Sequence, residues 1–220
     1  GANAAGKSTL FRCISGHLRG TGRVSLQGTS SDDLRYMPQE TGMSAALTVY
    51  ESIILALKQD RGGWRLSSEE MRAVDEILER FGISHLADQQ LPALSGGQRQ
   101  SVSIAQTLVS RPRVVLMDEP TSALDLNRQY EVLEALRRYA EESDAVLILA
   151  LHDLNQVLRC CSATMALGDK RILAAGPTLE VLTPGLIGRL YGIETRVERC
   201  SRGCPMMIVD GPTHNPAYRV

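Results

Sequence analysis

The first eight residues of the sequence have the types and spacing of a loop that binds phosphate. They read Gly-Ala-Asn-Ala-Ala-Gly-Lys-Ser and fit the pattern G-x-x-x-x-G-K-[ST]. Small residues let backbone N–H groups wrap a phosphate chain, and the N-terminus of the helix that follows adds a positive dipole. Lys7 would reach the β- and γ-phosphates, and the Ser8 hydroxyl would ligate Mg²⁺. The predicted nucleotide contacts here are Gly1, Ala2, Asn3, Ala4, Ala5, Gly6, Lys7, Ser8 and Thr9.

Two adjacent acids follow the short apolar run at residues 114–117. In phosphoryl transfer one carboxylate at such a strand end holds Mg²⁺, and a second can polarise the attacking water. We assign Asp118 to the metal and Glu119 to the water. Alone, each motif has a plain alternative: a chance glycine turn before a helix, and two solvated acids in a turn before Pro120. Their occurrence together favours the catalytic interpretation.

The elements that must position these residues alternate between strand and helix. Residues 113–117 and 145–151 are short apolar runs, which are typical of buried parallel strands, and a helical pattern follows each of them. A strand also leads to residues 36–39, and residues 23–26 alternate like a further short strand. This alternation predicts an α/β fold with a parallel sheet.

Residues 42–110 differ, because they carry helical signals and no convincing strand. Thr48 with Glu51, and Ser67 with Glu70, have the spacing of capping boxes that open helices. We therefore expect a helical insert that divides the α/β core in sequence. A phosphate-binding loop normally follows a buried strand, so the sequence reads as one that begins within the motif, with its N-terminal strands missing.

The composition is that of an ordinary globular protein of 220 residues. A total of 24 Lys and Arg against 25 Asp and Glu gives a net charge of −1, which argues against binding to a nucleic-acid backbone. The longest apolar run, residues 145–151, is far shorter than the roughly 20 residues of a spanning helix. Five cysteines, an odd number, and no signal peptide favour a reducing cytoplasm over a secreted disulfide scaffold.

The segment Leu94-Ser95-Gly96-Gly97-Gln98-Arg99-Gln100 resembles the LSGGQ signature of the ABC ATPase family. Other family motifs occur in order: Gln39 is similar to the Q-loop glutamine, residues 122–125 to the D-loop, and His152 to the switch histidine. Five ordered motifs in matching contexts extend the resemblance over residues 1 to about 190. It implies the ABC ATPase fold, a P-loop NTPase core with a parallel sheet and an inserted all-helical subdomain.

The resemblance also implies an ATPase that uses ATP and Mg²⁺. The implied domains are an N-terminally truncated P-loop ATPase core at residues 1–41 and 111–176, a helical signature subdomain at residues 42–110, and a C-terminal helix with a small hairpin at residues 177–220.

Roles at the site follow from the same resemblance. In the family two ATPase domains face each other head to tail, so the signature of one copy contacts the γ-phosphate held by Lys7 of the other. Without the resemblance, a lone histidine after a strand is more often structural, and a glutamine after proline is usually a surface residue. The implied catalytic residues are Glu119, His152 and Gln39, the Mg²⁺ ligands are Ser8, Gln39 and Asp118, and the further nucleotide contacts are Ser95, Gly96, Gly97, Gln98 and Asp125.

Two positions depart from the family pattern. Ala4 stands where many members have glycine, and Ser101 stands where arginine is frequent, so a phosphate or partner contact could be missing there. The aromatic residue that stacks on adenine lies upstream of the phosphate loop in the family. Because this sequence begins at the loop, we expect weakened nucleotide binding.

Three classes of ABC protein compete: importer subunits, exporters with fused membrane helices, and soluble proteins that act on ribosomes or DNA. Exporters carry fused membrane spans, DNA-repair members carry a long coiled coil, and ribosome-acting members usually carry two tandem ATPase domains. None of these features occurs in this sequence, so the importer class fits best. Within it, His152-Asp153-Leu154-Asn155 and Val181-Leu182-Thr183-Pro184 resemble the iron-siderophore group, which also includes haem and cobalamin importers.

We therefore expect the ATP-hydrolysing subunit of an importer that takes iron(III)-siderophore across the bacterial inner membrane. Haem or cobalamin import is the alternative, and a soluble non-transport ABC ATPase is a further one. The expected partners are a second copy in an ATP-sandwich homodimer, inner-membrane permease subunits that enter a groove near Gln39 and the helix at residues 48–58, and, indirectly, a periplasmic substrate-binding protein, with no nucleic acid. The expected location is peripheral, on the cytoplasmic face of that membrane.

The cysteines supply a last expectation. Three residues separate Cys200 from Cys204, and Cys160 is adjacent to Cys161. Only His214 lies near them, so free thiols are favoured over a zinc site.

Overall fold

The computed structural model describes residues 5–39, 46–59 and 65–213 of the chain, apart from the side chain of Asp32. Eight α-helices and seven strands lie in these ranges. In chain order they are α1 (Lys7–Ile14), β1 (Leu34–Met37), α2 (Val49–Lys58), α3 (Ser68–Arg80), α4 (Gly96–Leu108), β2 (Val114–Asp118), α5 (Leu126–Ser143), β3 (Val146–Ala150), α6 (Leu154–Cys160), β4 (Ala163–Gly168), β5 (Arg171–Pro177), α7 (Thr178–Val181), α8 (Pro184–Tyr191), β6 (Ile193–Arg199) and β7 (Pro205–Pro212).

A parallel sheet of three strands in the order β1-β2-β3 carries the candidate site. The central strand β2 is buried from Val115 to Asp118, and its apolar residues pack on both faces of the sheet. Its carboxyl end is level with the ends of its neighbours, since Met37 pairs with Met117 and Asp118 pairs with Ala150. Ligands of parallel sheets bind at this edge. The prediction of an α/β fold with a parallel sheet is confirmed.

The strand predicted at residues 145–151 exists, but the expectation that it is buried is wrong. Among the described residues β3 has a neighbour on one side only, and Val146 and Ile148 are 57% and 40% exposed. Within the described residues β3 is therefore the last strand of the three-stranded sheet, and part of its apolar run is exposed. A buried strand and an apolar edge strand have the same composition, so the sequence pattern does not separate them.

The short strand predicted at residues 23–26 is also wrong. These residues form no strand, and Val24 is 53% exposed. Alternation over four residues is a weak signal, because a strand exists only when a neighbour completes its hydrogen bonds. The described residues offer residues 23–26 no such neighbour.

Helices α2, α3 and α4 form the expected helical insert, and its described residues contain no strand. Both predicted capping boxes are present: Thr48 Oγ1 accepts from the N–H of Glu51, and Ser67 Oγ accepts from the N–H of Glu70. The apolar faces of the three helices join a continuous core with β2 and α5. At its centre are Val49, Ile53, Leu57, Val74, Phe81, Val102, Ile104, Leu108, Val115 and Leu136.

Contacts divide the described chain into two compact units. One is Ser8–Ala150, and the other combines residues up to Lys7 with those from Leu151 onward. The predicted three-part domain division stays a prediction. No helix in the described ranges is long and apolar enough to cross a membrane.

The second unit contains two antiparallel hairpins, β4–β5 and β6–β7. The small hairpin predicted within residues 177–220 therefore exists as β6–β7. Asn155 on α6 braces it, donating from Nδ2 to the carbonyl of Met207 and accepting at Oδ1 from the N–H of the same residue. Met207 then packs with Leu158, Leu182 and Ile187 in a small apolar cluster.

Candidate active site

The described part of the phosphate-binding loop is its carboxyl end, since Gly1, Ala2, Asn3 and Ala4 lie outside the described residues. Gly6 has φ +94°, a conformation that other residues rarely adopt. A Cβ there would meet nothing within 4 Å, so backbone conformation rather than space requires glycine. Lys7 begins α1, and Ser8 and Thr9 are exposed in its first turn. The loop thus ends at a helix N-terminus, as phosphate binding requires.

Asp118 lies at the carboxyl end of β2 and is only 1% exposed. Its Oδ1 is buried and has no hydrogen-bond partner among the described residues. A buried carboxylate oxygen without a donor is costly unless a ligand completes it, and Mg²⁺ prefers oxygen ligands. Burial raises the pKa of the neighbouring Tyr36, and the negative charge of Asp118 raises it further. Asp118 therefore has the chemistry expected of a ligand to Mg²⁺.

Glu119 is held in an unusual backbone conformation directly after the strand. Its φ is +53°, in the left-handed region that is uncommon for residues other than glycine. Its N–H donates to the carbonyl of Ala150 at 3.1 Å. Its own carbonyl accepts from Gln100 Nε2 at 3.2 Å, from Ser122 Oγ at 3.1 Å and from the N–H of Ser122 at 3.2 Å. Such strain persists where surrounding contacts impose it, and it concentrates at active sites.

The Gln39 side chain contacts the carboxylate of Glu119. Gln39 lies just beyond β1, 80 residues earlier in the chain, and its Nε2 donates to Glu119 Oε2 at 2.9 Å. The parallel sheet causes this meeting, because β1 and β2 are neighbours that end level with each other. The structure therefore brings Gln39, Asp118 and Glu119 to one edge of the sheet.

The signature segment forms the N-terminus of α4. Ser95 is its N-cap, and a capping box links Ser95 and Gln98: the N–H of Ser95 donates to Gln98 Oε1 at 2.8 Å, and Ser95 Oγ accepts from the N–H of Gln98 at 3.3 Å. Gly96 and Gly97 are the first two helical residues. A Cβ on Gly97 would lie 3.1 Å from the carbonyl of Ala123, whereas one on Gly96 would find only an ordinary contact at 3.9 Å.

The segment from Thr121 to Asp125 connects the site to α5. Asp125 is the N-cap of that helix, since its Oδ1 accepts from the N–H of Arg128 at 2.9 Å. Gln129 Nε2 donates to the carbonyls of Thr121 and Leu124 at 3.2 and 2.9 Å. Gln129 therefore braces the segment from within α5.

The sequence analysis did not select Gln100 or Gln129 as site residues. Gln100 had a signal, because it lies on the apolar face of α4 at helical spacing from Ile104 and Leu108, and a polar residue there needs a partner. It is 5% exposed, and its partner is the carbonyl of Glu119. Ser101, the departure from the family pattern, is 2% exposed within the same helix.

His152 belongs to the second unit, where it is exposed and directly precedes Asp153, the N-cap of α6. Among the described residues no group of three or more His, Cys, Asp and Glu side chains could hold a metal. His214 lies outside them. A zinc site at the cysteines therefore gains no support.

Comparison with known proteins places this geometry in a family. The sequence profile of the ABC transporter family matches residues 1–122. The molybdenum import ATP-binding protein ModC of Methylococcus capsulatus is 37% identical over 194 residues, covering 83% of this chain and 53% of ModC, so the chain spans about half the length of that relative. The ferric enterobactin transport ATP-binding protein FepC of Escherichia coli is 36% identical, covering 96% of this chain and 78% of FepC.

A third relative is the hemin import ATP-binding protein HmuV of Gloeobacter violaceus, which is 34% identical and covers 94% of this chain and 82% of HmuV. A solved ABC transporter in an inward-facing conformation, described as of the metal-chelate type, superposes with a TM-score of 0.83 at 25% identity, covering 95% of this chain and 83% of that one.

The chain therefore belongs to the ABC transporter family and has the ABC ATPase fold. Within that family it is an ATP-binding ATPase of the importer class.

Proposed function

We propose that the chain is the ATPase subunit of an importer for iron(III)-siderophore. The observation that carries the choice of cargo is the similarity to the ferric enterobactin subunit over 96% of this chain. The solved metal-chelate type transporter supports the same cargo class. Asn155, part of the motif that resembles the siderophore group, braces the C-terminal hairpin through two hydrogen bonds to Met207.

The proposed chemistry is hydrolysis of ATP by an activated water. Lys7 would neutralise the phosphates, and the backbone of residues 1–6 would wrap them. Ser8, Gln39 and Asp118 would hold Mg²⁺, which supplies charge neutralisation at the transferred phosphoryl group. The unsatisfied Oδ1 of Asp118 is the feature of this chain that supports such a ligand.

Glu119 would accept the proton of the attacking water. Its carboxylate accepts one hydrogen bond from the Gln39 amide at Oε2, and an ionised carboxylate has further lone pairs that can accept from a water. The hydrogen bonds to the Glu119 carbonyl hold its backbone in the left-handed conformation at the end of β2. His152 would contact the γ-phosphate.

The remaining sites would be completed by a second copy of the chain. Ser95, Gly96, Gly97 and Gln98 of one copy would contact the γ-phosphate bound by the other, where the α4 N-terminus offers unpaired N–H groups and a positive dipole. Asp125 would lie at the same junction. ATP would therefore hold the two copies together, and its hydrolysis would release them.

The proposed location is the cytoplasmic face of the bacterial inner membrane, on a permease that a periplasmic binding protein supplies. An open groove of about 390 Å³ beside α2, lined by Tyr50, Asp75, Leu78, Glu79, Ser84 and Ala87, is the proposed permease contact. Leu55 on the same helix is 49% exposed. A groove lined by two acids, Asp75 and Glu79, suits a helix with a basic end.

Haem import is the second candidate, and the similarity to HmuV over 94% of this chain favours it. Uptake of radio-iron from a ferric siderophore separates the two. Cells carrying Lys7→Ala should lose siderophore uptake but keep haem and cobalamin use, whereas the control Lys170→Ala, in the exposed β4–β5 turn, should behave as wild type. Retained siderophore uptake with lost haem use would instead establish the haem alternative.

A further inference from the structure

The turn of the β6–β7 hairpin places two cysteines directly opposite each other. Arg199 pairs with Pro205, so the next positions toward the turn are Cys200 and Cys204. The N–H of Cys200 donates to the carbonyl of Cys204 at 2.9 Å, and the N–H of Gly203 donates to the carbonyl of Cys200 at 2.7 Å. One main-chain hydrogen bond joins Cys200 to Cys204 across the turn, and positions that face each other in an antiparallel pair have Cα atoms about 4.5–5.5 Å apart, within the range that a disulfide spans.

The surroundings of Cys200 favour its reactive form. Backbone N–H groups of Arg202 and Cys204 donate to its sulfur, and the Cys204 side chain lies in hydrogen-bonding contact with it. Because these donors stabilise negative charge on the sulfur, they lower the pKa of Cys200, and the charge of Arg159 lowers it further. Both thiols are half-buried, so a small oxidant can reach them.

The adjacent pair Cys160 and Cys161 has the opposite environment. Burial, with a smaller contribution from the neighbouring Cys160, raises the pKa of Cys161 to about 11. Since the thiolate is the nucleophile, Cys161 is a poor target for oxidants at neutral pH. Cys161 is therefore an internal control, in the same chain, for the reactivity of Cys200.

We propose that Cys200 and Cys204 are a redox modification site, which hydrogen peroxide converts into a disulfide across the hairpin turn. The Cys200 sulfur attacks one peroxide oxygen: an S–O bond forms, the O–O bond breaks, and the departing hydroxide takes a proton and leaves as water. The Cys204 sulfur then attacks the Cys200 sulfur: an S–S bond forms, the S–O bond breaks, and the hydroxide leaves as water with the thiol proton of Cys204. Two thiols lose two electrons, and one peroxide becomes two waters.

The first test uses the whole purified chain, reduced and then treated with peroxide in a buffer with a metal chelator. Free thiols are alkylated before digestion with trypsin, which cleaves after Arg199 and Arg202 and so leaves Cys200 and Cys204 on separate peptides. A disulfide holds these two peptides together at a mass 2 Da below their sum. We expect the linked peptide in treated protein, its loss after dithiothreitol, and oxidation of Cys200 at least about tenfold faster than that of Cys161.

Two variants test the order of events. Cys204→Ser should stop the reaction at a sulfenic acid on Cys200, which dimedone captures, whereas Cys200→Ser should leave Cys204 largely reduced. Both substitutions lie at a surface turn, and circular dichroism checks the fold. Full alkylation of Cys200 and Cys204 in treated wild type would overturn the proposal. So would equal oxidation of Cys161, or a disulfide found only between chains on a non-reducing gel.

Discussion

Gln39 Nε2 lies 2.9 Å from Glu119 Oε2, and this hydrogen bond joins the ends of two neighbouring strands across 80 residues of chain. It connects Gln39, near which the permease is expected to bind, with the residue proposed to activate water. A movement of the segment after β1 would therefore change which groups the Glu119 carboxylate can bind. The hydrogen bond gives this coupling a direct physical route.

Replacement of Glu119 by glutamine should remove the proton acceptor and keep the shape of the side chain. We expect turnover of ATP to fall by about 10²–10⁴, the usual contribution of a general base. The ATP-bound dimer should accumulate, as measured by size-exclusion chromatography with and without ATP. Glu141→Gln is the control, because its exposed pair with Arg137 contributes little. A monomeric Glu119→Gln protein with full turnover would contradict the assigned role.

Loss of the Gln100 amide should affect catalysis through the position of Glu119. Gln100→Ala removes one of the donors to the Glu119 carbonyl, which keeps its two contacts from Ser122. We expect the free energy of unfolding to fall by about 1 kcal/mol. We also expect kcat to fall with little change in the KM for ATP. Gln106→Ala, half-buried on the same helix, is the control; equal effects of both substitutions on kcat would show that Gln100 has no special part.

Substitutions of the signature glycines Gly96 and Gly97 should distinguish an effect on the stability of the fold from an effect on dimerisation. Gly96→Ala meets only an ordinary contact at 3.9 Å and improves helix propensity, so stability should stay equal or rise slightly. Gly97→Ala places a Cβ 3.1 Å from the carbonyl of Ala123 and should lower stability by about 1–3 kcal/mol. In a Glu119→Gln background both should lose ATP-driven dimerisation. A Gly96→Ala chain that still dimerises with ATP would argue against phosphate contact at that position.

Acid should weaken the helical insert through Glu70. Hydrogen bonds from Lys58 and from the N–H of Ser67 hold the pKa of Glu70 below its usual 4.5, so its contribution is present above that pH and lost as pH falls through the lowered value. Glu70→Gln retains an acceptor for the cap but removes the charge. The wild type should be more stable than this variant in urea at pH 7, and the difference should shrink as pH falls below 4.5. The exposed neighbour Glu69 supplies the control Glu69→Gln, which should show no such pH dependence.

Much of this architecture is encoded locally and could be predicted. The capping boxes at Thr48 and Ser67, the apolar run before Asp118 and the hairpin near residues 195–209 each carry their signal within a few residues. The motif order likewise predicted the family. These features depend on backbone propensity and short-range hydrogen bonds, which the sequence displays directly.

The sequence-based predictions that were wrong, and the site residues that they missed, depend on contacts between residues distant in sequence. Whether β3 is central or at an edge depends on what pairs beside it, and the run at residues 23–26 lacks a pairing partner among the described residues. The hydrogen bond from Gln100 to the carbonyl of Glu119 requires α4 to pack beside the end of β2. Neither fact follows from periodicity, because periodicity reports which face of an element is apolar and not what covers it.

At position 119 the residue that the backbone conformation favours differs from the residue that the proposed reaction needs, because the φ of +53° suits glycine and the reaction needs a carboxylate. Glycine would adopt φ +53° without the penalty of about 1–2 kcal/mol that a Cβ incurs, although glycine also gives the unfolded chain more freedom. Directed evolution for heat resistance alone should therefore enrich Glu119→Gly, and the survivors should be robust proteins without turnover. Selection that also requires turnover of ATP should retain glutamate at position 119.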